Sequence, residues 1–262
     1  IFVFYSPMFT HLNCHSNYSF LTGANSIQDL VDTVNHIQCP ALALTDTNGL
    51  YGAVEFDRIA KKTGIHPILG VELTSQTPPN TPVKLKIDNL KIIKSTEHCT
   101  VNHGQPITQC AIILAKNITG FGEICRAITA RHLNSQFSLV KQLITLSDNV
   151  ILICPNLNLL NQIAQKRGGK NIYAELACFP DRKILQFARD KNLPVVATNR
   201  VFFCQPEDRE VHLLLSAIRT KKTIYSIPLK DTISKDGWMK PPKNMICIFK
   251  NIPDAISNTL KI

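Results

Sequence analysis

Residues 40–73 read PALALTDTNGLYGAVEFDRIAKKTGIHPILGVEL. Pro40 to Thr45 is a short apolar run of strand length, and Pro67 to Leu73 is a second one. Between them, Tyr51 to Thr63 has helical periodicity and is followed by Gly64, a residue that commonly ends helices. This stretch therefore predicts a strand, a helix and a second strand, which is the repeating unit of a parallel sheet.

The same alternation continues on both sides of this unit. A further helix precedes it, where Ser26 and Asp29 form a capping box. The pattern predicts seven strands, mostly followed by helices and mainly parallel, and it favours neither an open sheet nor a closed barrel. The other predicted strands are Met8 to Cys14, Ala111 to Ala115, Val150 to Cys154, Asn171 to Leu176 and Pro194 to Thr198. The other predicted helices are Ser26 to Ile37, Thr119 to Arg131, Leu139 to Leu146, Asn156 to Lys166, Asp181 to Lys191 and Glu207 to Arg219.

Three segments lie outside this alternation. Residues 74–109 form a proline-rich, irregular insert, in which Val83 to Lys94 alternates like a hairpin arm. Residues 220–262 form a tail that either packs against residues 8–219 or begins another domain. Residues 1–7 are interpreted as an upstream extension, with Met8 as the natural start.

Composition narrows the class of protein. The 262 residues are 44% apolar and carry a net charge of +10, which is compatible with an acidic partner such as nucleic acid or with an inert basic surface. Nine cysteines without a C-x-x-C pair are typical of small buried side chains in a reducing compartment, so we expect a cytoplasmic protein. No apolar run is long enough to span a membrane, and no signal peptide is predicted.

Polar residues concentrate where the predicted strands end, which is where α/β folds place their chemistry. Imidazole, carboxylate and thiolate groups that converge there would suit zinc or manganese, whereas a hydrogen-bonded polar barrel end is the alternative. His11, Asn13 and His15 are spaced by two, so the strand pattern puts them on one face. The remaining strand-end residues are Asp46, Thr47, Glu72, Asn117, Cys154, Asn199 and Arg200. His98, Cys99 and His103 form a second cluster that is interpreted as a chance grouping.

Several blocks of the chain resemble the start of bacterial DNA polymerase III alpha subunits, replicative and error-prone alike. The blocks are FTHLNCHSNYSFLTGA (9–24), PALALTDTNGLYGAVEF (40–56), GIHPILGVEL (64–73), AIILAKNITGFGEICRAIT (111–129), LPVVATNRVFFCQPEDREVHLLLSAIRTKKTI (193–224) and GWMKPPKNMICIFKNIPDAISNT (237–259). The resemblance implies a PHP (polymerase and histidinol phosphatase) domain. That fold is a distorted, seven-stranded, TIM-like parallel β/α barrel with histidines and acids at the strand ends.

The chain departs from the family's metal-binding pattern at four positions. Asn13, Thr47 and Phe202 replace histidines, and Arg200 replaces an acid. His15 and Glu72 are retained and Asp46 lies nearby, so the resemblance implies a degenerate site that holds at most a single weak zinc or manganese ion. The barrel-mouth residues in question are His11, Asn13, His15, Asp46, Thr47, Glu72, Arg200 and Phe202.

We therefore expect a scaffold module of a DNA polymerase. Its expected partners are the polymerase core of the same parent protein and proofreading or clamp subunits, with DNA contacted indirectly and no membrane. Magnesium would serve the full-length polymerase, and this chain alone has no paired acids for primer extension. The alternatives are a stand-alone metal-dependent phosphoesterase or exonuclease and a truncated, non-functional copy.

Overall fold

The computed structural model describes residues 8–75, 109–178 and 181–262. Six strands form one sheet in the order of the chain. The strands are β1 (Ala41–Leu44), β2 (His66–Thr74), β3 (Cys110–Ala115), β4 (Val150–Cys154), β5 (Ile172–Leu176) and β6 (Val195–Ala197). The protein thus has an α/β fold with a curled, mixed sheet that forms a half-barrel.

The sheet is less parallel than the sequence predicts. β3 runs antiparallel to both of its neighbours, and Glu72 of β2 faces Ile112 while Ile113 faces Leu152 of β4. The other three pairs are parallel. The prediction of a mainly parallel sheet was wrong at β3, because an apolar run that is buried on both faces looks the same in either direction.

The predicted first strand, Met8 to Cys14, is not a regular strand. It makes isolated bridges between His11 and Leu42 on one side and between Cys14 and Val201 on the other. The amide of Val201 also donates to the carbonyl of Asn13 at 2.8 Å. This segment therefore connects β1 with the chain that follows β6, but the seventh strand and the TIM-type barrel are not confirmed.

The predicted helices are present with shifted ends. Ser26 and Asp29 form the expected capping box, and Gly64 ends the helix Ala53–Thr63 with a left-handed φ of 79°. The helices are α1 (Ile27–His36), α2 (Ala53–Thr63), α3 (Ile118–Leu133), α4 (Leu139–Thr145), α5 (Leu157–Arg167), α6 (Arg182–Asp190), α7 (Arg209–Thr220), α8 (Pro242–Ile248) and α9 (Pro253–Ser257). The predicted hairpin arm and the His98, Cys99 and His103 group lie outside the described residues.

The core lies on both faces of the sheet. Inside its curve, Leu12, Ala43, Ile112 and Ile153 pack together, and the helices cover the outer face. The end of the tail packs against the sheet, where the Asn258 amide donates to the Val195 carbonyl at 2.8 Å.

Two further sequence expectations concern cysteines and membranes. Among the described cysteines, all of which are free thiols, Cys125 and Cys247 are exposed and the others are buried. The expectation of small buried side chains therefore fails at these two positions. In the part of the chain that the structure describes, no helix has the length and apolar character needed to cross a membrane.

Candidate functional site

His15 lies at the centre of the polar groups where β1 and β2 end. Its ring is fully buried and is stacked on Phe202, with ring centroids 4.0 Å apart. The Asn13 amide oxygen lies 3.0 Å from its Nε2, and the Ser19 hydroxyl lies 3.0 Å from its Nδ1. Burial, with a smaller effect of the Arg200 charge, lowers the pKa of His15 well below its usual value, so the ring is neutral.

Glu72 and Arg200 form an ion pair beside this histidine. One Nη atom of Arg200 lies 3.3 Å from the Glu72 carboxylate, and His15 Nε2 lies 3.9 Å from the same oxygen. Burial raises the pKa of Glu72, and the neighbouring guanidinium opposes that rise. Arg200 has a left-handed φ of 51°, a conformation that is uncommon for a residue with a side chain. The guanidinium thus occupies the mouth of the half-barrel as a fixed cation.

Asp46 is held by the loop that follows the first segment. Its carboxylate accepts hydrogen bonds from the Ser16 amide, the Ser16 hydroxyl and the Ser19 hydroxyl, each 2.7 Å long. Burial raises the pKa of Asp46, while these hydrogen bonds oppose the rise. Thr47 lies next to it, with its hydroxyl 3.4 Å from His15 Nδ1. Asp46 therefore anchors the loop and reaches His15 only through Ser19.

Sequence reasoning missed Glu175, which completes this cluster from β5. Its carboxylate accepts from the Asn13 amide nitrogen at 2.9 Å and from the Thr198 hydroxyl at 2.6 Å. Glu175 is buried, and its second carboxylate oxygen has no hydrogen-bond partner among the described residues. Glu175 lies two residues after Tyr173 on β5, so both point inside the curve, a signal that becomes readable once the inward face of the strand is known.

Four predicted site residues lie elsewhere. Cys154 packs in the apolar core. His11 Nε2 donates to the Lys240 carbonyl at 2.9 Å, so the i, i+2 spacing did not place it beside Asn13 and His15. The irregular backbone of this segment breaks the alternation of a strand. Asn199 joins a separate cluster with Cys178 and Lys240. Asn117 caps α3 by accepting from the Gly120 amide.

Hydrogen bonds and an ion pair engage the side chains that a metal ion at the mouth would use. The Asn13 amide nitrogen donates to Glu175, so its oxygen faces His15 and accepts the proton of Nε2. The Nε2 of His15, which carries this proton, consequently has no lone pair for a metal ion. Arg200 occupies one side of Glu72. Within the described residues, no group of three or more histidine, cysteine or acidic side chains is arranged to hold a metal ion.

Gly23 is required where the site loop passes close to itself. A Cβ at this position would lie 1.9 Å from the Ser16 carbonyl oxygen, so the backbone would have to move. We expect Gly23→Ala to lower the free energy of unfolding by about 3 kcal/mol, as overpacking does. Gly122→Ala is the matched control, because that Cβ meets only the flexible end of Arg126 at 3.5 Å. The control should gain about 0.5–1 kcal/mol from its helical position. Urea denaturation that gives equal stabilities for the two variants would contradict the close approach.

The fold and the site place this chain among the α/β proteins whose curled sheet carries histidine, aspartate and glutamate at the ends of its strands. The PHP domain model matches residues 11–172, which is more than half of the chain. The chain therefore belongs to the PHP domain family.

The relatives extend well beyond this chain. It is 27% identical to the DNA polymerase III subunit alpha of Buchnera aphidicola subsp. Acyrthosiphon pisum, covering 98% of this chain and 22% of the relative. It is 29% identical to the error-prone DNA polymerase of Symbiobacterium thermophilum, covering 97% and 25%. The chain thus spans a quarter or less of the length of these polymerases.

One solved structure that is weakly similar to this chain also contains a PHP-like domain. It is a two-domain protein from Bacteroides vulgatus that contains a predicted PHP-like metal-dependent phosphoesterase. The TM-score is 0.46 at 14% identity, and the match covers 74% of this chain and 52% of the other.

Proposed function

We propose that this chain is the N-terminal PHP module of a bacterial DNA polymerase III alpha subunit, and that it serves as a scaffold rather than as a hydrolase. The observation that carries the proposal is the ion pair between Arg200 and Glu72, 3.3 Å long, inside the mouth. A guanidinium is always protonated and cannot be a metal ligand. It supplies the positive charge that a metal ion would otherwise bring to this carboxylate.

The remaining polar groups support the same proposal. The Asp46 carboxylate accepts hydrogen bonds from Ser16 and Ser19. The Asn13 amide forms hydrogen bonds with both His15 and Glu175. Apart from Glu175 Oε2, these groups have protein partners, so the mouth is a hydrogen-bonded network that stabilises the fold. Phosphoester cleavage by metal-activated water needs an open coordination position, and this network leaves none.

The proposal extends to cofactors, partners and location. A single zinc or manganese ion held weakly by His15 and Glu72 is the most that these side chains suit, whereas magnesium would serve the polymerase core. The module would pack against that core and present a surface to proofreading or clamp subunits, with DNA contacted indirectly. It would act in the cytoplasm, as a replication protein does.

A metal-dependent phosphoesterase or exonuclease is the second candidate. It is favoured by the 3.9 Å approach of His15 Nε2 to Glu72, a pair that the family's metal-binding pattern shares. Activity would require the proton of His15 to move from Nε2 to Nδ1 and Arg200 to leave the mouth.

Fusion to a polymerase separates the two candidates. The chain replaces the matched segment of the Buchnera aphidicola DNA polymerase III subunit alpha, and the same polymerase without any such segment is the control. We expect the fused module to raise the melting temperature and to restore primer extension, while zinc and manganese after dialysis against chelator stay below one equivalent. Two or more retained equivalents, with phosphoester turnover that requires them, would establish the hydrolase instead. A fusion whose melting temperature is no higher than that of the control would contradict the scaffold role.

A further inference from the structure

Large apolar side chains are exposed along one side of α7. Val211, Leu214 and Ile218 are between 46% and 56% exposed, and their spacings of three and four residues place them on the same side of the helix. The buried positions of α7 are His212, Ser216 and Ala217. A helix on a protein surface normally buries its aliphatic side chains and exposes its polar ones. The reversal indicates that another domain or molecule covers this side of α7.

The turn that follows α7 extends this apolar surface. The segment folds back beside the end of the helix, where the Lys222 ammonium lies 3.5 Å from the Asp231 carboxylate. At its tip, Ile224 and Leu229 are 44% and 82% exposed and Tyr225 is fully exposed. We call the six exposed side chains the α7 surface: Val211, Leu214, Ile218, Ile224, Tyr225 and Leu229. Among the described residues, these are six of the fifteen large apolar side chains that are exposed, so the exposure is concentrated here.

Specific contacts fix the orientation of the α7 surface. The Nδ1 of His212 donates to the Thr22 carbonyl at 2.8 Å, and its Nε2 accepts from the Ile233 amide at 2.9 Å. Arg219 donates to the Thr22 hydroxyl at 2.8 Å and to the Asp231 carbonyl at 2.7 Å. These contacts hold α7 to the site loop on one side and to the tail on the other. The helix therefore cannot rotate to bury its aliphatic side chains within this chain.

The relatives indicate what covers the α7 surface. The matches cover 22% of the Buchnera polymerase and 25% of the Symbiobacterium polymerase, so most of each polymerase lies outside the matched segment. Domains of one polypeptide meet through interfaces with an apolar centre and a polar edge. The α7 surface supplies such a centre, and the exposed Lys221 and Lys222 supply a basic edge between its helical and turn residues.

We infer that the α7 surface is the face through which this module packs against the polymerase core of its parent protein. The inference rests on the proposed function and adds to it the side of the module that meets the core. It also specifies the chemistry of the opposite face. That face has an apolar centre against Leu214 and Tyr225, and it carries acidic side chains opposite Lys221 and Lys222.

Hydroxyl-radical labelling followed by mass spectrometry tests this face, because a tyrosine ring reacts according to its exposure to solvent. The chain alone is compared with the chain that replaces the matched segment of the Buchnera polymerase. Labelling of Tyr225 should fall at least about fivefold in the fusion, because the centre of an interface excludes water. Tyr51 is the matched control, since it is 71% exposed and should be labelled equally in both proteins.

Substitutions provide a second measurement on the same two proteins. Leu214→Gln and Leu229→Gln should reduce the rise in melting temperature that fusion gives, and should leave the chain alone nearly unchanged because both side chains are exposed there. Val54→Gln is the control, because Val54 is 83% exposed on α2 and should leave both proteins unchanged.

The outcomes separate this inference from the proposed function. A fusion with a raised melting temperature in which Tyr225 stays fully labelled shows that the core packs elsewhere, which overturns the inference and leaves the scaffold role standing. A fusion with no rise in melting temperature contradicts the scaffold role and the inference together. Protection of Tyr225 in the chain alone that increases with protein concentration identifies a second copy as the occupant and also overturns the inference.

Discussion

Arg200→Met is expected to lower the free energy of unfolding by about 3 kcal/mol at pH 7, because it leaves a buried carboxylate without its cation. Glu72 is buried, and the guanidinium 3.3 Å away is the group that opposes the rise of its pKa. Methionine keeps the aliphatic part of the arginine side chain and removes the guanidinium, so the loss comes mainly from the charge. Urea denaturation at pH 7 measures it.

The pH dependence identifies the cause. A carboxyl whose folded pKa is raised binds a proton more tightly in the folded state, so its unfavourable contribution appears as the pH rises from the unfolded value through the folded one. The difference between Arg200→Met and the parent should therefore shrink as the pH is lowered from 7 to 5. Glu72→Gln combined with Arg200→Met removes both charges and should recover most of the stability. A single variant as stable as the parent, or a double variant no better than the single one, would show that the ion pair contributes little.

The second large effect is a loss of stability in mild acid that depends on His11. Burial, with a smaller effect of the Lys240 charge, lowers the pKa of His11 from 6.5 to about 4. Its Nε2 proton is donated to the Lys240 carbonyl, and its Nδ1 is buried without a partner among the described residues, so a second proton would be unsolvated. A group with a lowered folded pKa binds protons first in the unfolded state, so stability is lost as the pH falls from 6.5 to 4. A shift from 6.5 to about 4 corresponds to about 3 kcal/mol.

His11→Gln tests this assignment, because glutamine also donates to a carbonyl but does not titrate. Unfolding free energies measured from pH 7 to pH 4 should fall less steeply in the variant than in the parent. The lowered pKa values of His15 and His212 also reduce the stability of the protein as the pH falls. The raised pKa values of Asp46 and Glu72 increase it as the pH falls. These contributions are shared by both proteins and cancel in the comparison. His36→Gln replaces an exposed histidine and should leave the profile of the parent unchanged. Parallel profiles for His11→Gln and the parent would contradict the role of His11.

Local sequence patterns predicted the elements well. Apolar runs and helical periodicity located the six strands and the helices between them, and the Ser26–Asp29 capping box was confirmed atom by atom. These signals act over a few residues, where backbone geometry and burial dominate. The direction of β3 depends on contacts with distant strands, and the sequence pattern carried no information about it.

The same difference between local signals and long-range contacts applies to the candidate site. His15, Thr47, Glu72 and Arg200 were expected at the mouth, and the structure brings their side chains together. Glu175 was missed because a lone acid inside an apolar strand is informative only when its inward face is known. Asn117 was placed wrongly because β3 runs in reverse, which puts the residue after it at the opposite rim, beside Asn149. His11 was misplaced because its segment is not a regular strand.

The reversed direction of β3 has a consequence for how this domain can vary. Thr74, at the end of β2, faces Cys110, at the start of β3, and the Ser75 amide donates to the Gln109 carbonyl at 2.7 Å. The chain thus leaves the sheet and re-enters it at neighbouring points on the rim that carries Glu72. Length can be added or removed between these two points without changing the register of any strand pair. A change of length at this position therefore leaves the half-barrel and the polar groups at its mouth in place.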